Sequence, residues 1–173
     1  KIMQNILITG CSSGIGLQTA LTLKDNNYKV YASAKKIEDV EMLRNLGFET
    51  FKIDVRNKED ISNALNTILQ NDKKLDAVFN NAGFGQPGAV EDLSVEVLKE
   101  QFETNFFGLH EVTIQAMKIF RKQGYGKIIQ HSSVLGIISL KFRGAYNASK
   151  YAIEGLNDTL RQEVINSNIY IST

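Results

Sequence analysis

The chain has 173 residues, enough for one domain, and its 43% hydrophobic and 23% charged content is that of a globular chain rather than a disordered one. Twenty basic residues against 19 acidic ones leave a net charge of +1, which gives no electrostatic case for nucleic acid or an anionic membrane as partner. The single cysteine, Cys11, excludes an internal disulfide, and with two histidines it makes no zinc-type spacing. No apolar run approaches about 18 residues and the start carries no signal-peptide pattern, so the cytoplasm is the expected location.

Apolar β-type runs alternate with amphipathic segments along the whole chain. Taken in order, strands are expected over 5–9, 29–33, 49–53, 75–79, 127–131 and 169–173. Helices are expected over 13–24, 37–46, 58–71, 95–121 and 146–165. The strands are short and almost continuously apolar, as in Ile6-Leu7-Ile8 and Ala77-Val78-Phe79, which suits a parallel sheet covered on both faces. Strict alternation with right-handed crossovers implies an α/β fold, a doubly wound three-layer sandwich in one domain over 1–173. The long segment 95–121 carries Val97, Leu98, Gln101, Phe102, Asn105, Phe106, Leu109, Val112, Ala116, Met117 and Phe120 at helical spacing. So wide an apolar surface is either core alone or core plus a face for a second subunit.

The first strand runs into Thr9-Gly10-Cys11-Ser12-Ser13-Gly14-Ile15-Gly16, and a helix follows. Gly10 permits a tight turn, Gly14 lets backbone approach a pyrophosphate, and Gly16 lets the helix lie close to the sheet. Unpaired N–H groups and the positive end of the helix dipole then favour an anion. The spacing G-x-x-x-G-x-G differs from the commoner G-x-G-x-x-G. It lacks the Gly-Lys-Ser/Thr ending of a P-loop, which argues against ATP or GTP. Ser12 and Ser13 can donate hydroxyls to phosphate, and Ser13 can also cap the helix. Cys11 is either a thiol activated by the helix end or a small residue that fits the turn, the plainer reading.

Further on, Tyr146 and Lys150 stand four residues apart, and Ser133 precedes the tyrosine by 13 residues. A Tyr and a Lys at i, i+4 project side by side from a helix. An ammonium beside a phenol favours the phenolate, which a proton-exchanging tyrosine needs near neutrality.

The order and spacing of these motifs resemble the short-chain dehydrogenase/reductase family, in its compact branch, over nearly the whole chain. Thr9-to-Gly16 is similar to the branch's T-G-x-x-x-G-[IL]-G, and Tyr146-Asn147-Ala148-Ser149-Lys150 to its Y-x-x-x-K. Asp54-Val55 resembles the position that contacts adenine, Asn80-Asn81-Ala82-Gly83 the N-N-A-G stretch, and Asn105 the mid-helix catalytic asparagine. The resemblance implies a Rossmann-type fold and interconversion of an alcohol with a ketone or aldehyde by hydride transfer. In that scheme Tyr146 is the acid or base, and Lys150 favours its ionisation and holds the nicotinamide ribose. Ser133 orients the carbonyl, and Asn105 supports a water in a proton relay. Cofactor contacts are implied for Gly10, Ser12, Ser13, Gly14, Ile15 and Gly16, for Asp54 and Val55, for Asn81, Ala82 and Gly83, and for Tyr146 and Lys150. Family habit adds a homodimer or homotetramer, with a small alcohol or carbonyl compound as the other partner. In the family the strand near Ile169 leads to a Pro-Gly turn, a mobile lid and one more strand. This chain stops at Thr173, so a partial chain lacking the C-terminal part is expected.

The end of the second strand bears on the choice of nicotinamide. NAD-selecting enzymes place Asp or Glu there to bind the adenosine 2′-hydroxyl. Here Val30-Tyr31-Ala32-Ser33-Ala34-Lys35-Lys36 holds no acid. Lys35 stands where phosphate-selecting relatives carry arginine, and Ser33 can donate to a phosphate oxygen. NADP(H) is therefore expected, with NAD(H) as the alternative. Phe84, Gly85, Val134, Leu135 and Phe142 flank the catalytic elements and suggest an apolar pocket, and two stretches resemble steroid- and retinol-type members. A hydrolase built on Ser133 and His131 fails, because no G-x-S-x-G elbow is present. Two alternatives stay open: a nucleotide-binding protein without chemistry, and an epimerase or dehydratase of the extended branch, which would prefer G-x-x-G-x-x-G.

Overall fold

A computed structural model describes residues 3–173. Six strands, β1 (Asn5–Ile8), β2 (Lys29–Ala34), β3 (Glu49–Lys52), β4 (Ala77–Asn80), β5 (Gly126–Gln130) and β6 (Ile169–Ser172), form one sheet in the order β3-β2-β1-β4-β5-β6. Every pairing is parallel, with Ile6 opposite Val30 on one side and Ala77 on the other. The helices between them are α1 (Gly14–Asp25), α2 (Ile37–Asn45), α3 (Lys58–Asp72), α4 (Val95–Phe102), α5 (Leu109–Gln123) and α6 (Gly144–Glu163).

Side-chain alternation along the strands divides the core into two layers. Leu7, Tyr31, Val78 and Ile128 pack with Ile61, Ala64, Leu65 and Ile68 of α3 and with Val112, Ala116 and Phe120 of α5. Ile6, Ile8, Val30 and Ala32 face the other way, onto Ala20 of α1 and Val40 and Leu43 of α2. This is the doubly wound, Rossmann-type three-layer sandwich. Its strand order reverses between β1 and β4, where the loops at the carboxyl ends of the strands open a crevice.

Three details differ from the sequence expectation. The outer strands β3 and β6 are covered less than the inner ones, β6 burying only Ile169 and Ile171, because an edge position removes a neighbour. Strand β4 begins at Ala77 and not at residue 75, since the Leu75 backbone is held by the Gln123 side chain of α5 (Nε2 to the Leu75 carbonyl, 2.6 Å). The expected single helix over 95–121 is α4 and α5 joined by a π-helical turn, Glu103–Gly108, with Asn105 and Gly108 buried in it. A β-carbon on Gly108 would stand 2.6 Å from Val55, so the wide turn presses backbone against the loop after β3.

Candidate active site

The loop after β1 is built by close contact with the loop after β4. Gly10 has φ +71°, and a β-carbon there would stand 2.7 Å from the Cα of Ala82. One on Gly16 would meet the Asn81 amide at 2.3 Å and the Gly10 carbonyl at 2.4 Å. Gly14 is also left-handed, at φ +57°, and has open space beside it. Ser13 is the N-cap of α1, but its hydroxyl makes no capping bond, and the first turn holds no acid. The helix end therefore keeps its positive dipole and its free donors for another group.

Around this turn lies a cavity of about 670 Å³ across the carboxyl ends of the strands. Gly10, Ser12, Ser13, Ile15 and Gly16 line it from the first loop, Lys35 from the second, and Asp54, Val55 and Arg56 from the third. Asn81, Ala82 and Gly83 line it from the loop after β4. Size, a glycine cradle and a helix N-terminus together suit a dinucleotide. Ser33 is placed elsewhere. It is buried and gives its hydroxyl to the Ile8 carbonyl (3.1 Å), so it does not reach the cavity as expected for a phosphate ligand. Cys11 is buried too, its thiol on the Ile8 carbonyl (3.4 Å) and pushed up to about 12 by burial, which leaves it a packing residue rather than a nucleophile.

Two residues outside the expected set organise the site. Thr9 Oγ1 accepts from the backbone N–H groups of Asn81 and Ala82 (3.1 and 3.0 Å). Asn81 answers by donating to the carbonyls of Thr9 and Gly10 (3.0 and 2.8 Å), and its oxygen faces His131 Nδ1 at 2.8 Å. The Asn81 amide thus ties the ends of β1, β4 and β5 together. Burial and the positive charge of Lys150 push the His131 imidazole below its ordinary value, so it is neutral at neutral pH and Nδ1 donates to Asn81. The sequence signal for both was position alone, at the ends of β1 and β5.

Helix α6 brings Tyr146 and Lys150 to the same side, the lysine Nζ lying 5.4 Å from the centroid of the tyrosine ring. The ammonium is almost fully buried and donates to the His131 carbonyl (2.5 Å). A second cavity of about 410 Å³ opens here, with Phe84, Gly85, Leu135, Leu140, Arg143, Tyr146 and Lys150 on its walls. It shares Asn81, Gly83, Phe84 and His131 with the first, so the two are contiguous.

Asn105 stands behind this wall. Its oxygen accepts from the Phe84 N–H (3.0 Å), and its nitrogen donates to the Phe84 carbonyl (2.8 Å) and to Ser149 Oγ (3.2 Å). Ser149 in turn donates to the Tyr146 carbonyl (2.8 Å), which links the π turn to the turn of α6 that carries the tyrosine. One turn earlier the fully buried Gln101 accepts from Gln86 N–H and donates to the Phe84 carbonyl, both at 2.8 Å. In the sequence Gln101 falls within an apolar stripe, and a polar residue in such a stripe is itself a signal that something must satisfy it. Ser133 is not on the Tyr146 cavity. Its hydroxyl accepts from Leu135 N–H (3.1 Å) at the start of a short 3₁₀ turn and lines a neighbouring hollow with Glu154 and Thr173. Among the described residues no cluster of His, Cys, Asp and Glu could hold a metal ion, and no helix is long and apolar enough to cross a membrane.

A crevice at the switch point of a 3-2-1-4-5-6 sheet, with a tyrosine–lysine pair beside it, is the layout of a dinucleotide-binding fold. The family model described as short chain dehydrogenase matches residues 4–173, and the chain belongs to that family. It is 43% identical to the uncharacterized oxidoreductase YbbO of Escherichia coli K12, over 99% of this chain and 65% of that protein. It is 37% identical to the 3-ketodihydrosphingosine reductase of Bacteroides thetaiotaomicron, over 93% of this chain and 58% of that one. The solved structure of ElxO with NADP bound superposes with a TM-score of 0.91 at 25% identity, covering 99% of this chain and 73% of ElxO. The chain thus spans about two thirds or less of the length of the curated relatives it matches.

Proposed function

We propose that the protein is an NADP(H)-dependent oxidoreductase that interconverts a lipophilic alcohol and its ketone or aldehyde. The observation that carries the chemistry is the buried Lys150 ammonium beside the Tyr146 ring, on the wall of the smaller cavity and bonded to the carbonyl of His131, a residue that both cavities share. A nicotinamide held by the glycine loop and by Asn81, Ala82 and Gly83 would supply or accept the hydride. Tyr146 exchanges the proton on the substrate oxygen, and Lys150 favours the ionised phenol. Ser133 is assigned the orientation of the carbonyl on the resemblance of its motif. Its hydroxyl accepts from Leu135 N–H and keeps its proton to donate, but its side chain lines the neighbouring hollow and must turn to reach the substrate oxygen. Asn105 holds the Phe84 wall and the Tyr146 turn, and we assign it the support of the proton relay. NADP(H) is favoured over NAD(H) by Lys35 on the cavity wall and by the NADP found in ElxO.

The lipophilic substrate rests on the segment after β5. Val134, Ile137, Ile138, Leu140 and Phe142 are all exposed, and Leu135 and Leu140 line the Tyr146 cavity. So dense a run of exposed apolar side chains marks a binding surface. The similarity to a reductase of a sphingoid ketone points the same way. Nicotinamide absorbance, followed with the full-length protein, both reduced cofactors and a panel of short and long-chain ketones and aldehydes, tests the reading. Turnover of long-chain carbonyls with NADPH is expected. Binding of NADPH with no turnover of any carbonyl would favour a regulatory nucleotide-binding protein instead.

A further inference from the structure

We propose that Arg56 decides the choice of dinucleotide: by saturating the Asp54 carboxylate it leaves Lys35 free to meet a phosphate on the adenosine 2′-oxygen. The inference deepens the NADP(H) reading above and rests on it. Asp54 sits on the wall of the larger cavity, and nearly all of its bonding comes from Arg56. The Arg56 backbone N–H donates to Oδ1 at 3.1 Å, Nε to Oδ1 and Oδ2 at 3.0 and 3.2 Å, and Nη2 to Oδ2 at 2.6 Å. This is the bidentate geometry in which a guanidinium binds a carboxylate most strongly. Lys35 Nζ is 3.4 Å from Oδ2 and makes no hydrogen bond to it, and its side chain is 60% exposed. An ion pair that long and that exposed holds little. Of the two cations on this carboxylate, the arginine is committed and the lysine is spare.

The balance of charge on the wall makes that commitment matter. Lys35, Lys36 and Arg56 face Asp39, Asp54 and Glu100 around the same cavity, so the two signs are equal. A phosphate monoester near neutrality carries about −1.5 to −2. Without the arginine the wall would become net negative, and Lys35 would become the nearest partner for Asp54. The lysine would then be withdrawn from the phosphate at the moment the surroundings began to repel it. Arg56 in this account never touches the cofactor. It is a positioning residue that acts through Asp54 and Lys35.

The test uses two probes that differ only in the 2′-phosphate, 2′,5′-ADP and 5′-AMP, titrated calorimetrically into the full-length protein. Wild type should favour 2′,5′-ADP by about tenfold or more, the scale of one charged contact. Arg56→Gln should lose most of that ratio, and Asp54→Asn added to it should restore the ratio. Equal weakening of both probes by Arg56→Gln would make the arginine merely structural and overturn the proposal. Failure of Asp54→Asn to restore the ratio would overturn it as well, by placing Arg56 on the phosphate directly. Should Arg56→Gln not fold, Asp54→Asn alone decides, because a fall in the ratio on neutralising that carboxylate contradicts the scheme. Absence of any 2′-phosphate preference in wild type would sink the NADP(H) reading itself, whereas a preference untouched by Arg56→Gln sinks only this inference.

Discussion

Burial lowers the Lys150 ammonium from its ordinary 10.5 to about 8, and Glu154 works against that shift. In the unfolded chain the same group holds its proton up to about 10.5. Between the two values the unfolded state binds more protons, so stability must rise with pH across that window. Below about pH 8 the full penalty is present, at most roughly 3 kcal/mol. The thermal midpoint of wild type relative to that of Lys150→Met, in the absence of cofactor, should therefore rise between about pH 8 and 10.5. A difference that stays constant with pH would mean that the ammonium is not buried as described. Cys11 gives a second test, since a buried thiol at about 12 should resist iodoacetamide at neutral pH until the protein is denatured. Rapid alkylation of the native protein would contradict its place in the turn. Tyr146 and Lys150 were legible in the sequence because an i, i+4 pair is a local relation. The placement of Ser133 was not, because the direction of its hydroxyl depends on the 3₁₀ turn that follows it, whose Leu135 N–H it accepts.

Short apolar runs and glycine turns are local signals too, and the six strands were readable within a residue or two. The π turn was not. One extra residue in a turn leaves Gln101, Asn105 and Leu109 at spacings that an α-helix also allows, so periodicity cannot distinguish the two. What the turn achieves is visible only in three dimensions. Gln101 and Asn105 reach the backbone of Phe84 and Gln86, which lie 15 to 21 residues earlier in the chain. These bonds replace a strand neighbour for a loop that has none. Gln101→Leu would remove the partner of the Gln86 N–H and one of the two bonds to the Phe84 carbonyl, part-buried hydrogen bonds that contribute about 0.5–1.5 kcal/mol each. The expected result is a lower thermal midpoint and a raised KM for the carbonyl substrate, since Phe84 and Gly85 form its wall. An unchanged midpoint would show that the clamp holds nothing.

At the scale of the whole molecule, a groove of about 500 Å³ runs between α5 and α6, with Ile114, Met117, Leu156 and Leu160 on its walls. The apolar stripe of the long segment is thus only partly spent on the core, and Leu98 and Phe107 stay exposed on the same stretch. A dimer or tetramer closed on these helices is the expected state, and light scattering of the full-length protein at micromolar concentration checks it. A monomer there would end the idea. Oligomeric state was the least legible property in the sequence, because a wide helical face reads the same whether the sheet or a second copy covers it.

The most direct test of the account concerns one oxygen atom. Tyr146→Phe removes the ionisable group and keeps the ring that packs against Gly85 and Lys150. With the full-length protein, NADPH and a carbonyl substrate that wild type reduces, kcat should fall by about 100-fold or more. Affinity for NADPH, measured by fluorescence titration, should stay close to that of wild type. Retention of more than about a tenth of the wild-type kcat would contradict the role assigned to Tyr146 and with it the proposed chemistry.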